Sequence, residues 1–81
     1  MDLTETRDHY VYTVRPRRDF VGKLFSFTGS VDDKLIEKVC GKLENGFTDT
    51  YRILFFKDHW SRREVQEVLE SGWFEETRVR R

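Results

Sequence analysis

Short stretches of this chain alternate apolar and polar residues, which is typical of β-strands because successive strand side chains point to opposite faces. In the most apolar stretch, residues 51–56, Ile53 and Phe55 point to one face. Leu54 and Phe56 point to the other face. A strand covered on one face only would normally alternate apolar with polar residues. The pattern therefore predicts a sheet that carries apolar side chains on both faces.

The same alternation predicts strands over residues 9–15, 21–28, 50–57 and 73 to about 80. Pro16 ends the first strand because proline contributes no backbone donor to a sheet. Since the connection to the second strand is short, we expect these two strands to form an antiparallel hairpin. The last strand contains glutamates and arginines, which favour an edge position. Residues 1–8 are polar and show no period, so we expect a flexible N-terminal segment.

A first helix is predicted between Ser30 and Asn45. Ser30 is a favourable N-cap, and Asp32 and Asp33 place negative charge where the helix dipole favours it. Gly46 would end the helix in the left-handed conformation that glycine adopts easily. Between these ends, apolar residues recur at helical spacing, at Val31, Leu35, Ile36, Val39, Cys40 and Leu43.

A second helix is predicted from Ser61 to Ser71, and its start is the clearest local signal in the chain. Ser61 and Glu64 have the spacing of a capping box, in which each side chain accepts a hydrogen bond from the other residue's backbone N–H. Trp60 and Val65 flank the box at the positions of a hydrophobic staple. These two signals together predict where the helix begins and which of its sides faces the core.

The predicted order of elements is β-β-α-β-α-β, which indicates an α+β fold. We expect a two-layer sandwich in which a four-stranded mixed sheet carries two helices mainly on one face. The third strand, the second helix and the fourth strand would form a right-handed parallel crossover. Because 81 residues suffice for one hydrophobic core and not for two, we expect a single domain over residues 9–81.

Charge is balanced, with 15 basic and 15 acidic residues and a formal net charge of zero. A balanced chain lacks the overall basic field that draws a protein to nucleic acid. Cys40 is the only cysteine, so no internal disulfide is expected, and a reducing, cytoplasmic location is predicted. The sequence shows no signal-peptide pattern and no apolar run of the roughly 20 residues that a membrane span needs.

No residue pattern indicates catalysis, a metal site or a cofactor. Each of the two histidines follows an aspartate, in the pairs Asp8-His9 and Asp58-His59. Adjacent strand residues point to opposite faces, so we interpret both pairs as polar residues at strand ends rather than as acid–base pairs. Cys40 lies on an apolar stripe and is expected to be a buried thiol. The prediction is a protein without enzymatic activity.

By elimination, we predict a small protein-interaction module that acts as a regulator or inhibitor by binding or occluding another macromolecule. An apolar sheet face would supply the contact surface, since exposed apolar patches mark binding sites. The partner would be another protein or a second copy in a homodimer. Small size without chemistry also suits a protein encoded by a phage or a mobile element. The candidate contact residues are Leu54, Phe56, Trp73 and Phe74.

The alternative prediction is a nucleic-acid-binding domain. Two arginine clusters would contact phosphates through Arg17, Arg18, Arg78 and Arg80. Aromatic strand residues would stack on bases, namely Tyr10, Tyr12, Phe25 and Phe27. Aromatic residues at strand spacing are more often core than base platform, so this remains the second choice. No resemblance to a known family covers enough of the chain to carry a function.

Overall fold

Strands extend over more than half of the described residues because β-branched and aromatic residues alternate with polar ones. The computed structural model describes residues 3–71. Within this range the elements are β1 Leu3–Glu5, β2 His9–Thr13, β3 Phe20–Val31, β4 Lys34–Leu43, β5 Thr48–Phe56 and α1 Arg62–Glu70. The strands form one sheet in the order β1-β2-β5-β4-β3, and every neighbouring pair is antiparallel.

The predicted first helix is wrong, because residues 34–43 form strand β4. Asp32 and Asp33 lie in the turn between β3 and β4, with φ angles of 53° and 63°. Val31 pairs with Lys34 across this turn. Positive φ at both central residues is what a two-residue type I′ hairpin requires, and aspartate tolerates it better than most residues. The acidic pair that suggested a helix N-terminus therefore forms a hairpin turn.

The apolar pattern of β4 fits a helix and a central strand equally well. The doublets Leu35-Ile36 and Val39-Cys40 are spaced by four residues, as in a helical stripe. In the structure the two members of each doublet point to opposite faces of a strand that has neighbours on both sides. Gly41 within the segment also disfavours a helix, since glycine in a helix interior costs about 1 kcal/mol.

The predicted hairpin between the first two strands is wrong as well. The corresponding strands, β2 and β3, are separated in the sheet by β5 and β4. Their connection, residues 14–19, passes across one end of the sheet. Arg15 holds it there by donating to the carboxylates of Asp49 at 3.1 Å and of Asp19 at 3.3 Å. Because Asp49 is buried at the start of β5, this contact ties the connection to the sheet.

The mixed four-stranded sheet with two helices is replaced by an antiparallel five-stranded sheet with one α-helix over residues 3–71. Leu3–Glu5 adds a strand where the sequence showed no period. The predicted parallel crossover needed a strand at 73 to about 80, and that strand lies outside the described residues. The prediction of two helices was wrong because the segment that forms β4 was taken for a helix.

Four elements are predicted correctly from local signals. The strands predicted at 9–15, 21–28 and 50–57 correspond to β2, β3 and β5. The capping box at the start of α1 is confirmed: the Ser61 hydroxyl accepts from the Glu64 N–H at 3.2 Å, and the Glu64 carboxylate accepts from the Ser61 N–H at 2.8 Å. Alternation predicted the three strands, and the helix start was predictable from a cap whose two partners are three residues apart.

Helix α1 packs on the sheet face that carries Ile36, Ile53 and Phe55, which we call the helix face. The opposite face carries Leu54 and Phe56, and we call it the second face. The main hydrophobic core lies between α1 and the helix face and consists of Val31, Ile36, Ile53, Phe55, Trp60, Val65 and Val68. The two residues of the predicted hydrophobic staple both belong to this core.

Candidate interaction surface

Apolar side chains from neighbouring strands meet on the second face. Leu54 of β5 lies in register between Val11 of β2 and Glu37 of β4. Val11 is only 6% exposed, whereas Leu54 is partly exposed. Val11 therefore forms part of the base of this surface, and Leu54 is its accessible centre.

Phe56 extends the surface toward the end of β5. It pairs with His9, and the two ring centroids are 4.8 Å apart. Because Ile36 pairs with Phe55 on the helix face, the preceding residue of β4, Leu35, lies beside Phe56 on the second face. Leu35 is 41% exposed. We use the name second-face patch for Leu35, Leu54 and Phe56.

Charged side chains border the second-face patch. Glu37 flanks Leu54 in β4, and Arg52 lies on the same face two residues before Leu54. The guanidinium carbon of Arg52 is 4.7 Å from the ring centroid of Tyr51, a cation–π contact that holds the arginine at the sheet. An apolar centre with a polar rim is the usual arrangement of a protein–protein interface.

The other end of the second face is covered by the chain itself. Phe20 is buried there, and its ring meets that of Tyr51 edge-on at a centroid distance of 5.6 Å. A Cβ on Gly41 would lie 3.0 Å from the Phe20 ring and 2.7 Å from a methyl carbon of Leu24. Only glycine allows this close approach. The packing separates a covered end of the second face from the end that carries the patch.

The first arginine cluster has a structural role in the connection between β2 and β3. Arg17 donates two hydrogen bonds of 3.1 Å to backbone carbonyls at the start of β3. Arg18 is exposed and lines an open recess of about 460 Å³, which is also lined by Asp19 and Glu44. The recess therefore combines both signs of charge, and it is not a purely basic surface.

The other predicted site residues fall into three groups. Tyr10 and Tyr12 are half-buried and pack against the core, so their rings are not open platforms. Phe25 and Phe27 lie on β3 and are about half exposed, at 48% and 49%. Trp73, Phe74, Arg78 and Arg80 lie outside the described residues. The structure thus brings Leu54 and Phe56 together on one face. The contact residues predicted at Trp73 and Phe74 stay predictions.

Two groups of ion pairs fasten α1 to the helix face. Lys34 of β4 donates to Glu64, and this bond, with a second from the N-cap backbone, lowers the pKa of Glu64 to about 2. Glu5 of β1 accepts from Lys57 and, at 3.2 Å, from Arg62. The hydrogen bond and charge of Lys57 lower the pKa of the Glu5 carboxyl. These pairs orient the helix and do not touch the second-face patch.

The two histidines both lie near Phe56, and the backbone N–H of His59 donates to the Phe56 carbonyl at 3.0 Å. His9 begins β2 and packs on Phe56, while His59 is exposed in the turn after β5. Cys40 is buried, as predicted, although on a strand rather than a helix. Among residues 3–71, no group of three or more His, Cys, Asp and Glu side chains could hold a metal ion. No helix in that range is long and apolar enough to cross a membrane.

Sequence reasoning named Phe25 and Phe27 as base-stacking residues but did not place their strand at the edge of the sheet. Phe25 and Phe27 of β3 are 48% and 49% exposed. The sequence placed their strand in a hairpin with β2, which would have covered one of its sides. The aspartate pair at 32–33 was the available signal, since as a hairpin turn it assigns β4 as the neighbour of β3.

Comparison with family models, with curated proteins and with solved structures finds no match to this chain. The features of this chain that bear on function are the second-face patch and the outer edge of β3.

Proposed function

We propose that this chain is a small, non-enzymatic protein-interaction module that binds another protein through the second-face patch. The observation that carries the proposal is the partly exposed Leu54 beside the buried Val11, on a sheet face that α1 does not cover. Removing such apolar area from water favours association. The polar border formed by Glu37 and Arg52 would set the orientation of the partner.

Within the patch, Phe56 is the expected main contact. Aromatic residues are enriched among the few interface residues that contribute most of the binding free energy. The contact between the Phe56 and His9 rings restricts the phenylalanine before a partner arrives, so less side-chain freedom is lost on binding. Leu35 adds exposed apolar area directly beside it.

A sheet face can lie flat against the surface of a partner. We infer that the module acts by occlusion, as a regulator or inhibitor, in the cytoplasm. A phage or a mobile element is the proposed source of the chain. Trp73 and Phe74 remain proposed additional anchors of the same interface.

The test is affinity capture of a partner, followed by titration of the purified partner against variants. Phe56→Ala is expected to weaken binding by more than about tenfold. Phe47→Ala is the matched control, because Phe47 is 72% exposed in the turn between β4 and β5 and lies outside the patch. Binding through an apolar surface should change little between about 0.1 and 0.5 M salt.

Equal weakening by Phe56→Ala and Phe47→Ala would contradict the second-face patch as the binding surface. The nucleic-acid alternative gives a different result in the same assay. The captured material would then be sensitive to nuclease, and its affinity would fall steeply with salt. Arg18→Ala would reduce the salt slope by about one, whereas it should leave a protein complex on the second face unchanged.

A further inference from the structure

The two edges of the described sheet differ in length. β1 has three residues, and β3 has twelve. An edge strand presents a row of unpaired N–H and C=O groups that can pair with another strand. Proteins limit this by short edges, charged residues, proline or bulges. β1 is protected by its shortness, whereas β3 is long enough to pair with another strand.

One half of β3 lacks the usual protection. The register with β4 shifts between Val21 and Phe25, and pairing is regular from Phe25 to Val31. This regular segment contains no charged residue and no proline. Phe25 and Phe27 within it are about half exposed, at 48% and 49%. The segment is a regularly paired, uncharged edge that carries two half-exposed phenylalanines.

The hairpin turn determines which backbone groups of this segment face outward. In a two-residue hairpin the flanking residues, here Val31 and Lys34, form a hydrogen-bonded pair. Hydrogen-bonded and non-hydrogen-bonded positions then alternate along the strand. Consequently three residues of the regular segment point their N–H and C=O groups away from β4, and these are Ser26, Thr28 and Ser30. No described strand pairs with that side of β3.

We infer that Phe25–Val31 pairs antiparallel with the same segment of a second copy, centred on Thr28, so that one sheet continues through a homodimer. In this register Phe25 lies opposite Val31 of the second copy, and Phe27 lies opposite Gly29. An aromatic ring across from a glycine compensates for the missing side chain and is a favourable cross-strand pair. All of these side chains lie on the helix face.

The second copy is the occupant that fits, because an antiparallel strand pair has the two-fold symmetry of an isologous dimer. The uncharged segment is its own complement, and a chain with zero net charge carries no overall repulsion between copies. The second-face patch remains accessible in such a dimer. The inference therefore stands or falls independently of the proposed function.

Molar mass by light scattering, measured on the full chain over a range of concentrations, tests the inference. The wild type should be a dimer that dissociates on dilution. Phe27→Lys should be monomeric, because it places a charge at the junction, while Phe47→Lys should remain dimeric. Both residues are exposed, and circular dichroism verifies that both variants are folded. A wild type that is monomeric at every concentration, or a dimer that survives Phe27→Lys, would overturn the inference.

Amide hydrogen exchange by NMR gives a second, residue-specific measurement. In the dimer, exchange at Ser26, Thr28 and Ser30 should slow as the concentration rises. The alternate amides of Phe25, Phe27 and Gly29 should be protected at all concentrations, since they bond to β4. Protection of the outward amides that does not depend on concentration would show that the same chain covers this edge, and it would overturn the dimer.

Discussion

The indole Nε1–H of Trp60 donates a hydrogen bond of 2.9 Å to the backbone carbonyl of Leu35. Trp60 directly precedes the N-cap of α1, and Leu35 lies in β4, so the bond fixes the start of the helix against the sheet. Trp60 is buried, and its ring meets that of Phe55 edge-on at a centroid distance of 5.0 Å. The same side chain thus contributes a polar bond and aromatic packing to the core.

We expect Trp60→Phe to lower the free energy of unfolding by about 1–3 kcal/mol, because the Leu35 carbonyl loses its donor while much of the ring packing remains. Trp60→Ala removes both and should cost about 3–5 kcal/mol. Urea unfolding followed by circular dichroism measures both variants. A Trp60→Phe protein as stable as the wild type would show that the indole bond makes no net contribution.

Gly41→Ala should destabilise the protein by about 1–3 kcal/mol through overpacking. The added Cβ would lie 2.7 Å from Leu24 and 3.0 Å from the Phe20 ring. Gly29→Ala is the matched control at concentrations where the chain is monomeric, because there the nearest atom, in Ile36, would be 3.9 Å away. That variant should be neutral or more stable by up to about 1 kcal/mol, since alanine restricts the unfolded chain. Urea midpoints in the reverse order would contradict the packing between Gly41 and the buried Phe20.

Asp33→Gly should raise the free energy of unfolding by about 0.5–1 kcal/mol, because Asp33 has a φ of 63° and glycine adopts positive φ without steric strain. Gly46→Ala makes the reverse change, from glycine to a residue with a Cβ, at another position with positive φ. Its φ is 89°, and a Cβ would meet no atom within 4 Å, so any loss comes from the backbone alone. That loss should be about 1–2 kcal/mol. A destabilised Asp33→Gly protein would contradict the hairpin turn and restore the case for a helix N-terminus.

The outcome at Asp32 and Asp33 shows how far the sequence could lead. Two acidic residues after a serine satisfy the rules for a helix start and also those for a hairpin turn. The apolar doublets that follow fit both the helical period and a strand with two apolar faces. Which structure forms depends on whether neighbours cover both sides of the segment, and that is a tertiary contact. The capping box at Ser61 was predictable because its partners are three residues apart.

Only part of the candidate surface could be predicted from the sequence. Alternation alone places Leu54 and Phe56 on one face, opposite Ile53 and Phe55. It does not reveal that Val11 lies in register with Leu54, since this pairing joins residues distant in sequence. The connection across the sheet end, held by Arg15 and Asp49, separates β2 from β3 in the sheet. No local pattern encodes that separation.

The ion pair between Lys34 and Glu64 makes stability depend on pH in the acidic range. The pKa of Glu64 is lowered from 4.5 to about 2 in the folded protein. A carboxyl with a lowered folded pKa stabilises the fold above its unfolded pKa, and this contribution is lost as the pH falls toward the folded pKa. The free energy of unfolding should therefore decrease between pH 4.5 and about 2. Glu5, whose pKa is also lowered, adds to the decrease in the same direction.

The Glu64→Gln variant isolates the Glu64 contribution, because glutamine keeps an oxygen that can accept from the Ser61 N–H while the charge is removed. It should be less stable than the wild type at neutral pH, and the gap between the two should narrow as the pH falls. Glu67→Gln is the control, since its exposed pair with Arg63 is 3.7 Å long and should leave the profile unchanged. Urea unfolding at several pH values measures all three proteins. A constant gap between wild type and Glu64→Gln would mean that the Lys34 contact does not act through the ionised carboxylate.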